Sequence, residues 1–174
     1  LYVTGRQDEA GKMYEDVLYS AQTLDVASRA ALSLVQGSID KAKFDRAKDF
    51  MLKILNKNQE YLLNDASKLT TLAGVFHEKN MDDIAARIYE ILLARLNKND
   101  DEYETVLKNL GIALTGTPDT QKAYEYLKRY QNEFADGQYA AIVQNALDKL
   151  FFARNDESNA TKLHEHYDAL IDKY

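Results

Sequence analysis

Apolar residues recur along the chain at i, i+3, i+4 and i+7, the spacing that places them on one buried face of an α-helix. The clearest stripes are Ala31, Leu34 and Val35; Leu69, Leu72, Ala73 and Phe76; Leu107, Leu110, Gly111 and Leu114; and Val143, Ala146, Leu147 and Leu150. No strand is needed to account for any segment. The pattern predicts nine helices, over about 6–21, 24–38, 42–56, 61–79, 81–97, 100–115, 118–134, 137–154 and 156–173. Thr117 reads as a helix N-cap with Pro118 at the first helical position and Gln121 at capping-box spacing, and Asn155-Asp156-Glu157 opens the last helix in the same way.

A second regularity lies on top of the first. Ala10, Ala47, Ala85, Ala123 and Ala160 are separated by 37, 38, 38 and 37 residues, and each is followed four residues later by Tyr14, Met51, Tyr89, Leu127 or His164. A fixed period of this size is the signature of a solenoid, in which each unit cannot bury its apolar face alone and stacks on its neighbours. Alanine fits the place where the second helix of a hairpin crosses the first, because a larger side chain would push the axes apart. The large residue one turn later fills the space beside that crossing.

Leu72-Ala73 with Phe76, Ala85 and Tyr89, and Leu110-Gly111 with Leu114 and Ala123, resemble the tetratricopeptide repeat (TPR) consensus over nearly the whole chain. The resemblance implies an all-α fold: an α-solenoid with a right-handed superhelix, built from about 4.5 antiparallel helix-turn-helix repeats. The period of 37–38 departs from the family's 34, and no proline closes the units, so the class is a divergent one. The approximate units within one solenoid over 1–174 are 1–22 (a second helix only), 24–57, 61–97, 100–135 and 137–174. A chain beginning on a second helix leaves an apolar face near Tyr14, Val17 and Leu18 and implies either a crystal contact there or a longer parent chain with further domains in contact.

Composition narrows the function. The 22 Lys and Arg against 28 Asp and Glu give a net charge of −6, and the two signs alternate along the chain, so no face for nucleic acid is expected. No apolar run approaches the roughly 20 residues of a membrane span, and no charged-then-apolar signal segment opens the sequence. The absence of cysteine removes thiol chemistry, disulfides and cysteine-ligated zinc and fits cytosol and periplasm alike. Residue usage looks bacterial, and TPR-like solenoids of that origin serve in periplasmic envelope or flagellar-motor assemblies, which is the setting the resemblance implies.

No enzyme, cofactor or metal is expected. The three histidines are His77, His164 and His166, and neither a glycine-rich phosphate loop nor a serine elbow is present. His164 and His166 point about 200° apart on a helix, which favours His164 as a packing residue over a shared metal site. The acidic run Asp100 to Glu104 is read as the start of a helix, where carboxylates suit the dipole. Of the twelve tyrosines, Tyr14, Tyr89 and Tyr130 take core slots, whereas Tyr61, Tyr103, Tyr126 and Tyr139 have no such assignment.

In a TPR stack the first helices line the concave surface, so the polar positions off the apolar stripes are the expected groove for a protein or peptide partner. They are Arg29, Gln36, Asp40, Thr70, His77, Glu78, Lys108, Thr115, Gln144 and Asp148. Lys108, Asn109 and Asn145 resemble fragments of the carboxylate clamp of one TPR subclass, but Leu32, Gly74, Ile112 and Asp148 stand where the rest would be. The competing reading is a structural or oligomerisation module whose ends contact neighbouring domains, with no ligand in the groove.

Overall fold

The computed structural model describes residues 2–154 and 160–171, and all regular structure among them is helical. In order the elements are α1 (Tyr2–Ser20), α2 (Leu24–Asp40), α3 (Phe44–Lys57), the single-turn α4 (Gln59–Leu62) running into a 3₁₀ turn (Leu63–Asp65), α5 (Ala66–Glu78), α6 (Asp82–Leu93), α7 (Tyr103–Thr115), α8 (Thr120–Glu133), α9 (Ala140–Arg154) and α10 (Ala160–Ile171). The chain forms two compact units, residues 1–100 and 101–174.

In the first unit α2 packs on α3 and α5 on α6, with α1 against α2. The predicted stripes face inward: Ala31, Leu34 and Val35 from α2, and Leu69, Leu72, Ala73 and Phe76 from α5, are all buried. Ala47 and Ala85 are fully buried, as close crossing requires, with Met51 and Tyr89 packed beyond them. α2 is capped by Thr23, whose Oγ1 accepts from Val26 N at 3.4 Å. The end of α3 is tied back to it, because Asn58 Nδ2 donates to Asp25 Oδ1 (2.9 Å) and to the Oγ of buried Ser28 (3.1 Å).

In the second unit α7 packs on α8, and α9 packs on both. Leu107, Leu110, Gly111, Leu114, Ala123 and Leu127 form the α7–α8 seam. Val143, Leu147 and Leu150 close the core from α9, while Ala146 is half-buried.

Several local expectations are corrected. The helix expected over 61–79 is broken at Asn64-Asp65, where Asp65 leaves helical geometry (φ −142°, ψ 80°) and its Oδ1 caps α5 by accepting from Lys68 N at 3.0 Å. Asp119 caps α8 through Lys122 N at 3.1 Å, and Thr117 sits between the helices, donating to Leu114 O of α7 at 2.8 Å and accepting from Asp119 N at 3.3 Å. Of the acidic run, Asp100 to Glu102 precede α7 and only Glu104 lies in its first turn. Tyr14 is 42% exposed, because no element covers that face of α1 among the described residues. His164 is also exposed, with Nε2 3.8 Å from Asp168 Oδ2, so it does not fill a packing slot. Asn155-Asp156-Glu157 lie outside the described residues, as does the side chain of Ala160.

Candidate functional site

The first helices of the two pairs in the first unit, α2 and α5, are separated by a groove of about 270 Å³. Arg29, Leu32 and Ser33 line it from α2, and Lys68, Leu69 and Leu72 from α5; Tyr61, Leu62, Asn64 and Asp65 form the end where the chain breaks before α5. The sequence builds this wall because Leu32 and Ser33 lie three and four residues after Arg29 and so flank it on one helix face. Two polar groups of the groove are already committed: Asp65 caps α5, and Ser33 Oγ donates to Arg29 O at 3.1 Å. The side chains of Arg29 and Lys68 have no hydrogen-bond or ion-pair partner among the described residues. The open chemistry of the groove is therefore two cations against the one Asp65 charge, with the Tyr61 hydroxyl and the Asn64 amide at one end, over an aliphatic floor.

A larger cavity of about 690 Å³ adjoins it between α1, α2 and the start of α3, sharing Ser33 and Lys68. Its carboxylates are occupied. Asp8 Oδ1 pairs with Lys41 Nζ at 2.5 Å, which holds the Asp8 carboxyl below its ordinary pKa; Glu15 pairs with Arg46; and Asp40 accepts from Gln36 Nε2 at 2.9 Å.

The second unit has a polar cluster where the loop after α8 meets α7. The Lys108 ammonium sits 4.5 Å above the Tyr139 ring and donates to Asn109 Oδ1, and partial burial lowers its pKa. Tyr139 shares a hydrogen bond with Thr105 through the two hydroxyls at 3.1 Å. The Tyr130 hydroxyl donates to Glu104 Oε1 at 2.5 Å and accepts from Tyr139 N at 3.0 Å; burial, then the bond to Glu104, push its pKa to about 12. On α9, Gln144 accepts from Gln131 Nε2 at 2.6 Å and donates to Asp148 Oδ1 at 2.7 Å.

The ten expected groove residues divide accordingly. Arg29 lines the α2–α5 groove, and Gln36 and Asp40 line the adjoining cavity. Gln144 and Asp148 are joined on α9, and Lys108 is engaged with Tyr139 and Asn109. Thr70 and Thr115 bond to their own helices, at Ala66 O (3.0 Å) and Ile112 O (2.7 Å). His77 Nδ1 is bound to Asp82 Oδ1 across the α5–α6 turn, and Glu78 is exposed. Lys68, Tyr61 and Asn64 were not among the expected residues. The Asn-Asp pair at 64–65 is the signal that would have moved the start of α5 and brought Lys68 to the groove.

Among the described residues no group of three or more potential ligands could hold a metal ion, and no helix is long and apolar enough to cross a membrane. No protein-family model matches the sequence, and no curated protein matches it. The fold is similar to a crystal structure of nearly identical TPR-like repeats, described as a kinesin light chain of Podosopora anserina. At 15% identity the two align over 98% of this chain and 89% of the other, with a TM-score of 0.53. Antiparallel helix pairs, the buried alanines at the crossings and this alignment together identify a TPR-like helical repeat fold.

Proposed function

We propose that the chain is a protein-interaction scaffold that holds an extended segment of a partner in the groove between α2 and α5. The observation that carries this reading is the imbalance inside the groove. Arg29 and Lys68 are unengaged, Asp65 gives one carboxylate oxygen to a helix cap and leaves the groove one net positive charge, and Leu32, Leu69 and Leu72 offer an apolar floor. Such a surface favours a segment that places a carboxylate beside an aliphatic side chain, with the apolar contact supplying area and the cations supplying orientation. Gln36 and Asp40 extend the same α2 face, and the remaining expected residues Thr70, His77, Glu78, Lys108, Thr115, Gln144 and Asp148 belong to the wider first-helix surfaces. Residue usage alone motivates an envelope or flagellar-motor setting; no groove residue bears on it.

The test is selection from a random peptide display library with the full chain and with an Arg29→Glu/Lys68→Glu variant. Enrichment of peptides pairing Asp or Glu with Leu, Ile or Val, lost in the variant, is the expected result. Enrichment that survives the double reversal places the binding surface elsewhere.

A further inference from the structure

Two helix faces are left open by the packing just described. On α1, Met13, Tyr14 and Val17 are exposed, beside the 690 Å³ cavity. On α10, His164, Tyr167, Asp168 and Ile171 fall at i, i+3, i+4 and i+7 and are all exposed, Ile171 by 72%, with Glu165 exposed on the flank; the Tyr167 ring rests against Phe152 of α9 at 5.6 Å between centroids and keeps half its surface free.

The two faces carry opposite charge. The cavity is lined by five cations and three carboxylates, and each carboxylate has a partner: Asp8 with Lys41, Glu15 with Arg46, Asp40 with Gln36. Lys12 and Lys43 have no such partner among the described residues, and both lie close enough to Asp8 to help hold its carboxyl ionised. The α10 stripe has the complementary sign, with Glu165 unpaired among the described residues and Asp168 facing only the exposed His164 at 3.8 Å. The cavity walls also permit close approach, because a Cβ placed at Gly11 of α1 or Gly37 of α2 would meet nothing within 4 Å. At those two points a docking helix would meet bare backbone.

We propose that α10 of one copy of this chain docks in the α1–α2 cavity of a second copy, with Ile171 and the exposed edge of Tyr167 inserted and Glu165 and Asp168 set against Lys12 and Lys43. The contact is heterologous: a basic surface meets a different, acidic one, so copies associate head to tail or by reciprocal exchange of α10. A symmetric pairing of either face with itself would place like charges opposite each other. The contact does not depend on the α2–α5 groove, whose cation Arg29 plays no part in it.

The experiment is sedimentation and light scattering of the full chain from about 1 μM to 1 mM, the range in which weak association shows. The wild type is expected to rise above its monomer mass of 19.8 kDa with concentration, less steeply as salt is added. Lys12→Glu/Lys43→Glu and Glu165→Lys/Asp168→Lys should each weaken self-association by about tenfold or more, with unchanged far-UV circular dichroism. An equimolar mixture of the two variants should associate as the wild type does, because opposite charges again face each other. Arg29→Glu should leave the association unaltered. A chain that stays at 19.8 kDa throughout, or variants that associate like the wild type, or a mixture no stronger than its components, overturns the proposal.

Discussion

Leu127 of α8 lies so close to Gly111 of α7 that a Cβ at position 111 would stand 2.7 Å from its Cδ2 and 2.9 Å from its Cγ. Both residues are buried and the crossing has no slack. Gly111→Ala therefore sets two effects in opposition. Alanine gains about 1 kcal/mol of helix propensity over glycine, whereas overpacking a closed core costs about 1–3 kcal/mol. The steric effect wins here, because the clash reaches the Leu127 Cγ branch point and not just a flexible side-chain tip. A lower urea midpoint is expected for the variant, and Gly111→Ala combined with Leu127→Ala should cost less than the two single changes summed, because the smaller side chain removes the clash; a raised midpoint in Gly111→Ala alone would show that the crossing relaxes freely.

The loop between α8 and α9 depends on one hydroxyl. Tyr130 has no exposed surface, and its oxygen bridges Glu104 of α7 and the backbone N–H of Tyr139. A methyl at Gly137 would run into the same hydroxyl at 2.6 Å and into Glu104 Oε1. Tyr130→Phe leaves both partners without it, and a loss of about 1–2 kcal/mol in unfolding free energy is expected, with faster amide exchange at Tyr139 as the local readout.

The same tyrosines set an alkaline limit. Tyr130 and Tyr89 both have their pKa raised from 10.0 to about 12, Tyr130 by burial and then Glu104, Tyr89 by burial and then Glu78. The folded state thus holds these protons more tightly than the unfolded chain. Their contribution to stability is complete below pH 10 and is lost as pH rises from about 10 to about 12, by something on the order of 1–2 kcal/mol per tyrosine. Urea titrations at successive pH values should show this slope, and Tyr89→Phe and Tyr130→Phe should each make it shallower. An unchanged slope in both variants would assign the alkaline loss to other groups.

Asn58 makes the third structural prediction. Its amide joins the end of α3 to Asp25 and buried Ser28 on α2, thirty or more residues earlier. Asn58→Ala leaves the Ser28 hydroxyl buried without that donor, at about 1–2 kcal/mol. Asn58→Asp should be worse than Asn58→Ala, because it sets a second carboxylate beside Asp25; the order of the two midpoints is the check.

What was legible in the sequence was what packing repeats. The stripe at Leu69, Leu72, Ala73 and Phe76 and the alanines at 47, 85 and 123 are buried because every helix pair meets the same steric demand at its crossing. Helix ends were less legible, since they turn on single hydrogen bonds: Thr117 and Asp119 are both capping residues, and only the fold decides that the first bonds back to α7 and the second opens α8. The groove suffered from the same weakness. Starting that helix at 61, ahead of the Asn64-Asp65 break, hides Lys68, which is exposed although it directly precedes buried Leu69. Thr70 was counted as a groove residue when its hydroxyl is turned to its own helix. Tyr14 and His164 occupy the same repeat position as Tyr89 and Leu127, yet lack the neighbouring helix that would bury them among the described residues.

The groove reading makes its sharpest claim about Lys68, because charge and stem can be separated there. Lys68→Met keeps an aliphatic chain over Leu69 and Leu72 and removes only the ammonium. If the cation orients an acidic peptide, a peptide selected on the wild type should bind the variant about two- to fivefold more weakly at low salt, as an exposed ion pair is worth up to about 1 kcal/mol. The difference should shrink at about 0.5 M salt, where screening already suppresses the pair in the wild type. Lys98→Met, in the exposed loop after α6, serves as the charge-matched control and should bind like the wild type. If Lys68→Met and Lys98→Met weaken binding equally, the effect is one of net charge and the α2–α5 groove is not the site. If Lys68→Met binds as well as the wild type at every salt concentration, the apolar floor alone carries the affinity and the partner's carboxylate has no place in the reading.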